Sequence, residues 1–183
     1  MNPINHFAYE YDFLSNFYSA VVSLDDIIVP VADDRSLLFA NNGATYATVE
    51  HAYQAAKFTD MEKRQIFTFE FNPNLTAGQA KRLGQSIGCR EDWDGIKVPV
   101  MRQLLLQKFG RKELGEKLLA TGDAYLEEGN WWHDTFWGVC HHKMEGKTCR
   151  EPEHGPFGEN TLGRLLMEVR AFYTGFNNAS RVL

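Results

Sequence analysis

The sequence has few cysteines and no long apolar run. Cys89, Cys140 and Cys149 form an odd, sparse set among 183 residues, which fits reduced thiols better than a disulfide framework. No stretch approaches the roughly 20 apolar residues of a membrane span, and the N-terminal residues lack the basic start and apolar core of a signal peptide. We therefore expect a cytoplasmic protein that does not bind membranes.

An excess of positive charge is also absent. The chain has 19 Lys and Arg against 24 Asp and Glu, a formal net charge of −5. Because non-specific affinity for nucleic acids depends on many basic contacts to phosphates, tight non-specific nucleic-acid binding is not expected. Two local basic clusters, "KRLGQSIGCR" and "QKFGRK", still suffice to hold the phosphates of a small ligand.

Several familiar motifs are missing as well. Without a GxGxxG or Walker loop or a GxSxG elbow, Rossmann, kinase and serine-hydrolase functions have no motif support. The stretch "CHHKMEGKTC" combines Cys140, His141, His142 and Cys149 but lacks the paired CxxC or HxxxH spacing of zinc sites. We expect no metal and no cofactor. A metal-stabilised structural protein is an alternative that stoichiometric zinc would support.

The apolar content that is present predicts a folded chain. Hydrophobic residues make up 44%, with 13 Phe, 7 Tyr and 4 Trp, and no repeat or linker interrupts residues 1–183, so we expect a single domain. Short apolar runs separated by turn residues before residue 46 predict a small sheet. Beyond it the apolar period becomes helical. The predicted fold class is α+β, mostly helical with a small sheet.

The helical part has recognisable starts. Thr48 is a predicted N-cap for "VEHAYQAAKF", Thr76 is one for "AGQAKRLGQSIG", and Pro99 suits the first turn of "PVMRQLLLQKFG". A helix is also expected over "ENTLGRLLMEVRAFYTG", whose leucines recur at helical spacing.

The predicted ends are glycines in the left-handed conformation. Gly88, Gly110 and Gly122 each follow a helical stretch, the last one after "RKELGEKLLAT". The stretch "AYLEEGNWWHDTFWGVC" is too aromatic and too interrupted by glycine for a helix, and is typical of a strand, a turn and a second strand.

The stretch "TVEHAYQAAKF" carries an unusual polar face. At helical spacing, Glu50, Tyr53, Gln54 and Lys57 fall in one sector of roughly 100° beside an apolar stripe. In one interpretation this is a solvated face, with Glu50 and Lys57 each complementing the helix dipole by under about 1 kcal/mol. In the other it is the wall of an active site. Spacing alone leaves both open.

Two aromatic stretches allow the same pair of interpretations. In "GNWWHDTFWGVC", the aromatic residues could raise the pKa of Asp134 or form a wall for a flat base, or they could form a core hairpin in which Asp134 caps a turn. In "REDWDG", Trp93 could stack on a base with Arg90 on a phosphate, or it could pack under a loop.

Taken together, these stretches resemble one family. The ordered motifs "FLSNFY", "TVEHAYQAAKF", "AKRLGQ", "REDWD", "VMRQLLLQKF", "LLATGDAYLEEGN", "HDTFWGV" and "GENTLGRLLMEVR" are similar to those of the NADAR family, also called YbiA-like, from about Phe7 to Tyr173. The resemblance implies the YbiA-like α+β fold and an N-glycosidase that cleaves a base-like amine from C1 of a phosphorylated ribose.

The resemblance implies two substrate classes, and both contain an exocyclic N-glycosylamine. One is ADP-ribose attached to guanine in DNA, as removed by antitoxin and counter-defence members. The other is a ribosylamino-pyrimidine phosphate, an intermediate of riboflavin biosynthesis. No riboflavin-pathway domain is fused within the 183 residues, so we favour ADP-ribosylated guanine. A non-catalytic module that binds ADP-ribose is the alternative from another functional class.

The resemblance also implies roles for individual residues. Lys57 would attack C1 as a neutral amine and form a Schiff base, while Glu50 shuttles protons. In the competing route, Glu50 or Asp134 activates water and the other carboxylate stabilises positive charge. The residues expected to line the pocket are Asn16, Tyr53, Arg90, Trp93, Trp137, Gly138 and Asn160.

Within that pocket, Trp93 or Trp137 would stack on the base and Arg90 would meet a phosphate. Asn16 and Asn160 would bond ribose or phosphate, whereas Lys81 and Arg82 are weaker candidates because a basic pair on a helix is commonly solvated. Two segments depart from the family pattern, "PVADDRSLLFANNGA" and the insertion at 141–157. We expect both to border the entrance and to affect the choice of substrate.

Overall fold

The computed structural model describes residues 2–25, 27–30, 36–39, 43–141 and 157–180. Contacts within the chain divide it into two compact units, a central unit of Asn16–Arg111 and a terminal unit of Met1–Ser15 with Lys112–Leu183. Helices dominate both, and the strands are short, so the predicted α+β class is confirmed. The expectation of one domain stays a prediction.

The strands of the central unit come first in the chain. Strand β1 (Ser19–Ser23) pairs antiparallel with β4 (Thr45–Thr48), and β2 (Ile28–Pro30) pairs antiparallel with β3 (Ser36–Leu38). Side chains alternate along β1 and β4, since their buried residues, Ala20 and Val22 with Tyr46 and Thr48, face one side. These pairs confirm the small sheets predicted before residue 46. The remainder of "PVADDRSLLFANNGA", at 31–35 and 40–42, lies outside the described residues.

Four helices of the central unit follow, and they are α1 (Val49–Ala55), α2 (Met61–Gln65), α3 (Ala77–Ser86) and α4 (Trp93–Phe109). Both predicted N-caps are confirmed. Oγ1 of Thr48 accepts the backbone N–H of His51, and Thr76 forms a reciprocal capping box with Gln79. Helix α1 packs against α3, α4, β1 and β4, so all seven of its residues are buried.

The predicted boundaries fail at three points. Helix α1 ends at Ala55, because the N–H groups of Lys57 and Phe58 bond three residues back instead of four. Pro99 lies inside α4 and not in its first turn, because α4 begins at Trp93. Burial of the apolar side chains in the first turns of α4 outweighs the loss of the hydrogen bond that proline cannot donate. Gly110 has φ −68°, so it is not a left-handed cap.

Gly88 and Gly122 do adopt the predicted positive φ, at 87° and 58°. A residue with a side chain would be strained in this conformation, and each glycine lies two residues after the last residue of its helix.

The terminal unit contains a 3-10 helix (Tyr9–Leu14), α5 (Lys112–Ala120), β5 (Gly129–Asn130), β6 (Val139–Cys140) and α6 (Thr161–Ser180). The stretch expected to form a strand, a turn and a strand does contain β5 and β6, but they pair in parallel, so it is not a hairpin. The predicted α6 is confirmed. Its buried stripe consists of Leu162, Leu165, Leu166 and Val169, whereas Phe172 is exposed. Within the described ranges, no helix is both long and apolar enough to cross a membrane.

Candidate active site

The polar side chains of α1 are not a solvated face. Glu50 is 6% exposed, Tyr53 6% and Gln54 3%, which rules out the solvent-facing interpretation of these three residues. A buried carboxylate is costly unless its oxygens are hydrogen-bonded or paired with a cation. The sequence places this carboxylate in the first turn of α1, where the helix dipole also favours a negative charge.

Hydrogen bonds to neighbouring residues hold both the side chain and the backbone of Glu50. The side-chain amide of Gln54 donates from Nε2 to Oε1 of Glu50 at 2.7 Å, one helical turn along α1. The backbone N–H of Glu50 donates to the carbonyl of Asn16 at 3.1 Å. The first bond fixes the carboxylate, and the second fixes the start of α1 against the residues before β1.

Lys57 lies in the turn that follows α1 and is half-buried. Burial lowers the pKa of Lys57 below its ordinary value, and the nearby Lys81 lowers it further, while Glu50 and Cys89 act in the opposite direction. The amine lies 5.8 Å from the centroid of the Tyr53 ring, near the outer limit of about 6 Å for a cation–π contact. The turn thus presents an amine that deprotonates more readily than a free lysine.

A cavity of about 160 Å³ opens beside this amine. Its nine lining residues are Lys57, Phe58, Thr59, Asp60, Lys63, Ile87, Gly88, Cys89 and Arg90. Three of them are cationic side chains and one is a carboxylate, so the lining carries an excess of positive charge. The cavity is therefore suited to an anion.

Arg90 contributes to that lining from the loop before α4. Its backbone N–H donates to the carbonyl of Lys57 at 2.8 Å, and its guanidinium pairs with Asp92 at 2.5 and 3.0 Å. The side chain is 7% exposed and lies over the ring of Phe39 at 5.5 Å. Its Nη1 atom is buried and has no hydrogen-bond partner among the described residues.

Tyr53, Trp93 and Asn16 lie inside the central unit. The rings of Tyr53 and Trp93 are tilted against each other at 5.0 Å, and Trp93 is 7% exposed as the first residue of α4. Asn16 is 8% exposed and donates from Nδ2 to the sulfur of Met101 at 3.4 Å. Its Oδ1 accepts no hydrogen bond from any part of the chain that the structure describes. The weaker candidates Lys81 and Arg82 are on α3, with Lys81 half-buried and Arg82 exposed.

In the terminal unit, Asp134 caps a turn. Its Oδ1 accepts the backbone N–H of Trp137 at 2.9 Å, while Asn130 bonds both the N–H and the carbonyl of Asp134. Trp137 is half-buried and meets Phe136 edge to face, with ring centroids 5.0 Å apart. The turn-capping interpretation of Asp134 is confirmed, and its catalytic role stays a prediction.

Gly138 and Asn160 organise the segment before α6. A Cβ at Gly138 would lie 2.2 Å from the carbonyl oxygen of Glu128, so only glycine fits there. Asn160 is 2% exposed with φ 53°, and its side chain accepts from the N–H of Glu128 and donates to Leu126 O and Tyr125 Oη. These bonds occupy the amide of Asn160 within the protein.

The predicted residues thus divide between the units. Asn16, Glu50, Tyr53, Lys57, Arg90 and Trp93 lie in the central unit, and Asp134, Trp137, Gly138 and Asn160 lie in the terminal unit. Sequence reasoning missed Lys63 as part of the cavity lining, because an exposed lysine in a short helix gives no signal of its own. Among the described residues no group of three His, Cys, Asp or Glu could hold a metal ion, and Cys149 with most of the 141–157 insertion lies outside them.

Comparison with known proteins defines the class. An N-glycosidase of Nostoc punctiforme is 37% identical over 128 residues, covering 68% of this chain and 72% of that protein. The N-glycosidase YbiA of Escherichia coli is 32% identical over 160 residues, covering 87% and 88%. A riboflavin biosynthesis protein of Vibrio vulnificus is 33% identical over 162 residues, covering 86% of this chain but 34% of that protein. The class is therefore that of an enzyme, an N-glycosidase.

The structure and the family model agree with this class. The NMR structure of E. coli YbiA superposes with a TM-score of 0.65 at 29% identity, covering 96% of this chain and 87% of YbiA, which confirms the YbiA-like fold. The NADAR domain model matches residues 5–172. The chain belongs to the NADAR family.

Proposed function

We propose that this enzyme cleaves an exocyclic N-glycosylamine bond at C1 of a phosphorylated ribose, with Lys57 as the nucleophile. The observation that carries the proposal is a lysine whose pKa is lowered by burial, on the wall of a cavity lined by cations. The buried carboxylate of Glu50 acts on the same lysine from α1. An amine must be neutral to attack carbon, and burial is a physical means of producing one.

The steps of this route balance in atoms and electrons. A proton delivered to the ring oxygen opens the ribose and leaves an iminium between C1 and the nitrogen of the base. The neutral amine of Lys57 adds to C1, and a proton transfer to the base nitrogen expels the base as a free amine. The Schiff base between Lys57 and C1 then takes up water and releases the sugar and the lysine. Glu50 carries the protons between these groups.

Direct hydrolysis is the competing route at the same bond. Glu50 or Asp134 would activate water against an oxocarbenium-like C1, and Lys57 would only hold a ribose or phosphate oxygen. The lowered pKa of Lys57 favours the Schiff-base route, because burial makes this amine easier to deprotonate and only a neutral amine attacks carbon.

The cation-lined cavity supports a phosphate subsite. At about 160 Å³ it is smaller than the roughly 300–1,000 Å³ of sites that enclose a whole ligand, so it suits one phosphorylated part of the substrate. We assign the phosphate to Arg90, whose guanidinium Asp92 orients, and to Lys63. Asn16 is assigned to a ribose hydroxyl, because its Oδ1 is a buried acceptor without a partner among the described residues.

The remaining predicted contacts are proposals of the same kind. Trp93 and Trp137 both stay candidates for stacking on the base: Trp93 is enclosed with Tyr53 in the central unit, and Trp137 is half-buried in the terminal unit. Gly138 and Asn160 are assigned to shaping the segment that presents Trp137, because a side chain at Gly138 would collide with Glu128 and the Asn160 amide is occupied.

We propose ADP-ribose attached to guanine in DNA as the substrate, on the motif resemblance and the excess positive charge of the cavity lining. The enzyme would grip the ADP-ribose and need little from the duplex, which is consistent with a net charge of −5. A ribosylamino-pyrimidine phosphate is the second candidate. The similarity to a riboflavin biosynthesis protein of Vibrio vulnificus favours it.

The test offers the purified protein both substrates in parallel and follows the products by mass spectrometry. Release of guanine-bearing DNA together with free ADP-ribose supports the first substrate, and release of the pyrimidine amine supports the second. Failure of the folded protein to turn over either substrate would refute the proposal. Binding of ADP-ribose without turnover would point to the non-catalytic module.

A further inference from the structure

The hydrogen bond between Gln54 and Glu50 has a defined direction. An ionised carboxylate accepts hydrogen bonds and donates none, so the NH₂ group of the Gln54 amide faces Glu50 and its oxygen faces away. That oxygen is buried and accepts no hydrogen bond within the ranges that the structure describes. Leaving a buried acceptor unsatisfied is unfavourable. The amide therefore keeps this orientation because of the carboxylate it serves.

Gly84 on helix α3 packs closely against the side chain of Gln54. A Cβ built on Gly84 would lie 2.1 Å from Oε1 of Gln54, 2.8 Å from its Cδ and 3.0 Å from its Cβ. Gly84 is itself buried, and α1 packs along α3. No side chain larger than hydrogen fits there unless Gln54 or a helix moves, so the glycine in "AKRLGQ" makes room for the glutamine in "TVEHAYQAAKF".

We propose that Gln54 is a positioning residue for Glu50 and that Gly84 holds Gln54 in place for that role. The proposal rests on the proposed function, because it assigns Gln54 to the orientation of the carboxylate that moves protons at C1. It explains why the amide of Gln54 is buried while its oxygen has no hydrogen-bond partner among the described residues. It also connects two separate sequence motifs, "TVEHAYQAAKF" and "AKRLGQ".

The first test measures the carboxylate directly, without substrate. Titration of the Glu50 side-chain carbon by ¹³C NMR, assigned with Glu50→Gln, is compared in the wild-type protein and in Gln54→Leu. Leucine fills a similar volume but donates no hydrogen bond, so the titration midpoint of Glu50 should rise by about one to two pH units. An unchanged midpoint in the folded variant would overturn the proposal, whatever the substrate of the enzyme.

Gly84→Ala tests whether Gly84 holds Gln54 in place, and Gly78→Ala on the same helix is the matched control. The added methyl group should displace Gln54 and reproduce the raised midpoint. Gly78→Ala should leave the midpoint unchanged, because a Cβ there meets its nearest atoms at 3.8 Å. If Gly84→Ala does not fold, the double variant Gly84→Ala/Gln54→Ala removes the amide that the new methyl group would meet and should fold again. Failure of the double variant to fold, or a wild-type midpoint in folded Gly84→Ala, refutes the role of Gly84.

Turnover separates positioning from a merely structural effect. On whichever ribosylamine the wild type cleaves, Gln54→Leu should lower kcat by about 10- to 100-fold and leave KM within about 2-fold. In Gln54→Glu two carboxylates would share one proton, so activity should recover on acidification as the new acid donates to Glu50. Gln54→Leu should show no such recovery.

In Gln54→Leu and in the Gly84 and Gly78 variants, the charges around the pair stay those of the wild type. Those that act on Lys57 are Glu50 on α1, Lys81 on α3 and the Cys89 thiol before α4, and none of them is changed. A wild type inactive on both substrates would refute the proposed function while the NMR titration still decides the role of Gln54. An active wild type with full kcat in Gln54→Leu would refute the positioning role alone.

Discussion

The backbone N–H of Arg90 donates a 2.8 Å hydrogen bond to the backbone carbonyl of Lys57. This bond joins the turn after α1 to the loop before α4, so the amine and the guanidinium line one cavity. The proposed nucleophile and the proposed phosphate-binding group are then held by backbone geometry, which costs less conformational entropy on substrate binding than two mobile side chains would.

Lys57 should form a covalent adduct that borohydride traps. During turnover, reduction should add the mass of the bound sugar to one peptide, the one containing Lys57. Lys57→Gln should abolish the adduct and lower kcat by about 10³-fold or more, because no amine remains to attack C1. Lys63→Gln is the comparison, because it removes an amine from the same cavity; since Lys63 is assigned to the phosphate, this variant should raise KM but keep the adduct at saturating substrate. Turnover without an adduct in the wild type would favour the carboxylate route.

The pH dependence should follow the amine of Lys57. Only the neutral amine reacts, and burial lowers the pKa of Lys57, so kcat/KM should rise with pH through a midpoint below the about 10.4 of a free lysine. Glu50 raises the pKa of Lys57, and removing its charge in Glu50→Gln should therefore shift this rise to lower pH.

Glu50→Gln should also lower kcat by about 10²- to 10⁴-fold, because the variant lacks the carboxylate proposed to carry protons. Initial rates between pH 5 and 10 measure both effects. A rise shifted to higher pH in Glu50→Gln would contradict the assignment of the titrating group to Lys57.

Arg90 should control substrate affinity more than the chemical step. Arg90→Lys retains a positive charge but loses the planar fork that pairs with Asp92, so its KM should rise by about 10-fold with kcat nearly unchanged. Arg111→Lys is a control because its guanidinium bonds the carbonyl of Val21, away from the cavity lining. Steady-state kinetics on the phosphorylated substrate and on its dephosphorylated form make the comparison. If Arg90 binds the phosphate, the variant and the wild type should differ little on the dephosphorylated form.

Local signals in the sequence were sufficient for parts of this fold. Thr48 and Thr76 are caps whose partners lie within three residues, so short-range chemistry predicts them. Pro99 was misplaced because the burial of Trp93 and Ile96, which extends α4 backwards, depends on tertiary packing. The parallel pairing of β5 and β6 is likewise a property of the folded chain.

Some features of the candidate site could likewise be predicted from the sequence, whereas others depend on tertiary packing. Helical spacing is enough to place Glu50 and Lys57 near each other, and the electrostatic effect of Glu50 on Lys57 agrees with it. The fit of Gln54 against Gly84 joins two helices, and no periodicity in either one reveals it. Lys63 enters the cavity lining from α2, directly after the turn that lines the cavity before α2, and spacing does not encode how that turn packs beside Ile87 and Arg90.

His51 should make the protein less stable in acid. It is 3% exposed, with Nε2 2.8 Å from the carbonyl of Leu75 and Nδ1 2.8 Å from Oγ1 of Thr48. A carbonyl only accepts, so Nε2 carries the proton and Nδ1 is the acceptor of a neutral ring. Burial lowers the pKa of His51, and the hydrogen bond to Leu75 opposes this only in part.

The direction in which pH changes the free energy of unfolding follows from proton binding in the unfolded chain. Below its ordinary pKa of about 6.5, unfolded His51 takes up a proton that the folded protein resists, so the free energy of unfolding falls by up to about 1.4 kcal/mol per pH unit. Above pH 6.5 this loss is absent. Urea unfolding at pH 7.5 and 5.0 should show a smaller drop for His51→Gln, which cannot protonate, than for the wild type. Equal drops in the two proteins would show that His51 titrates in the folded state as it does in the unfolded chain.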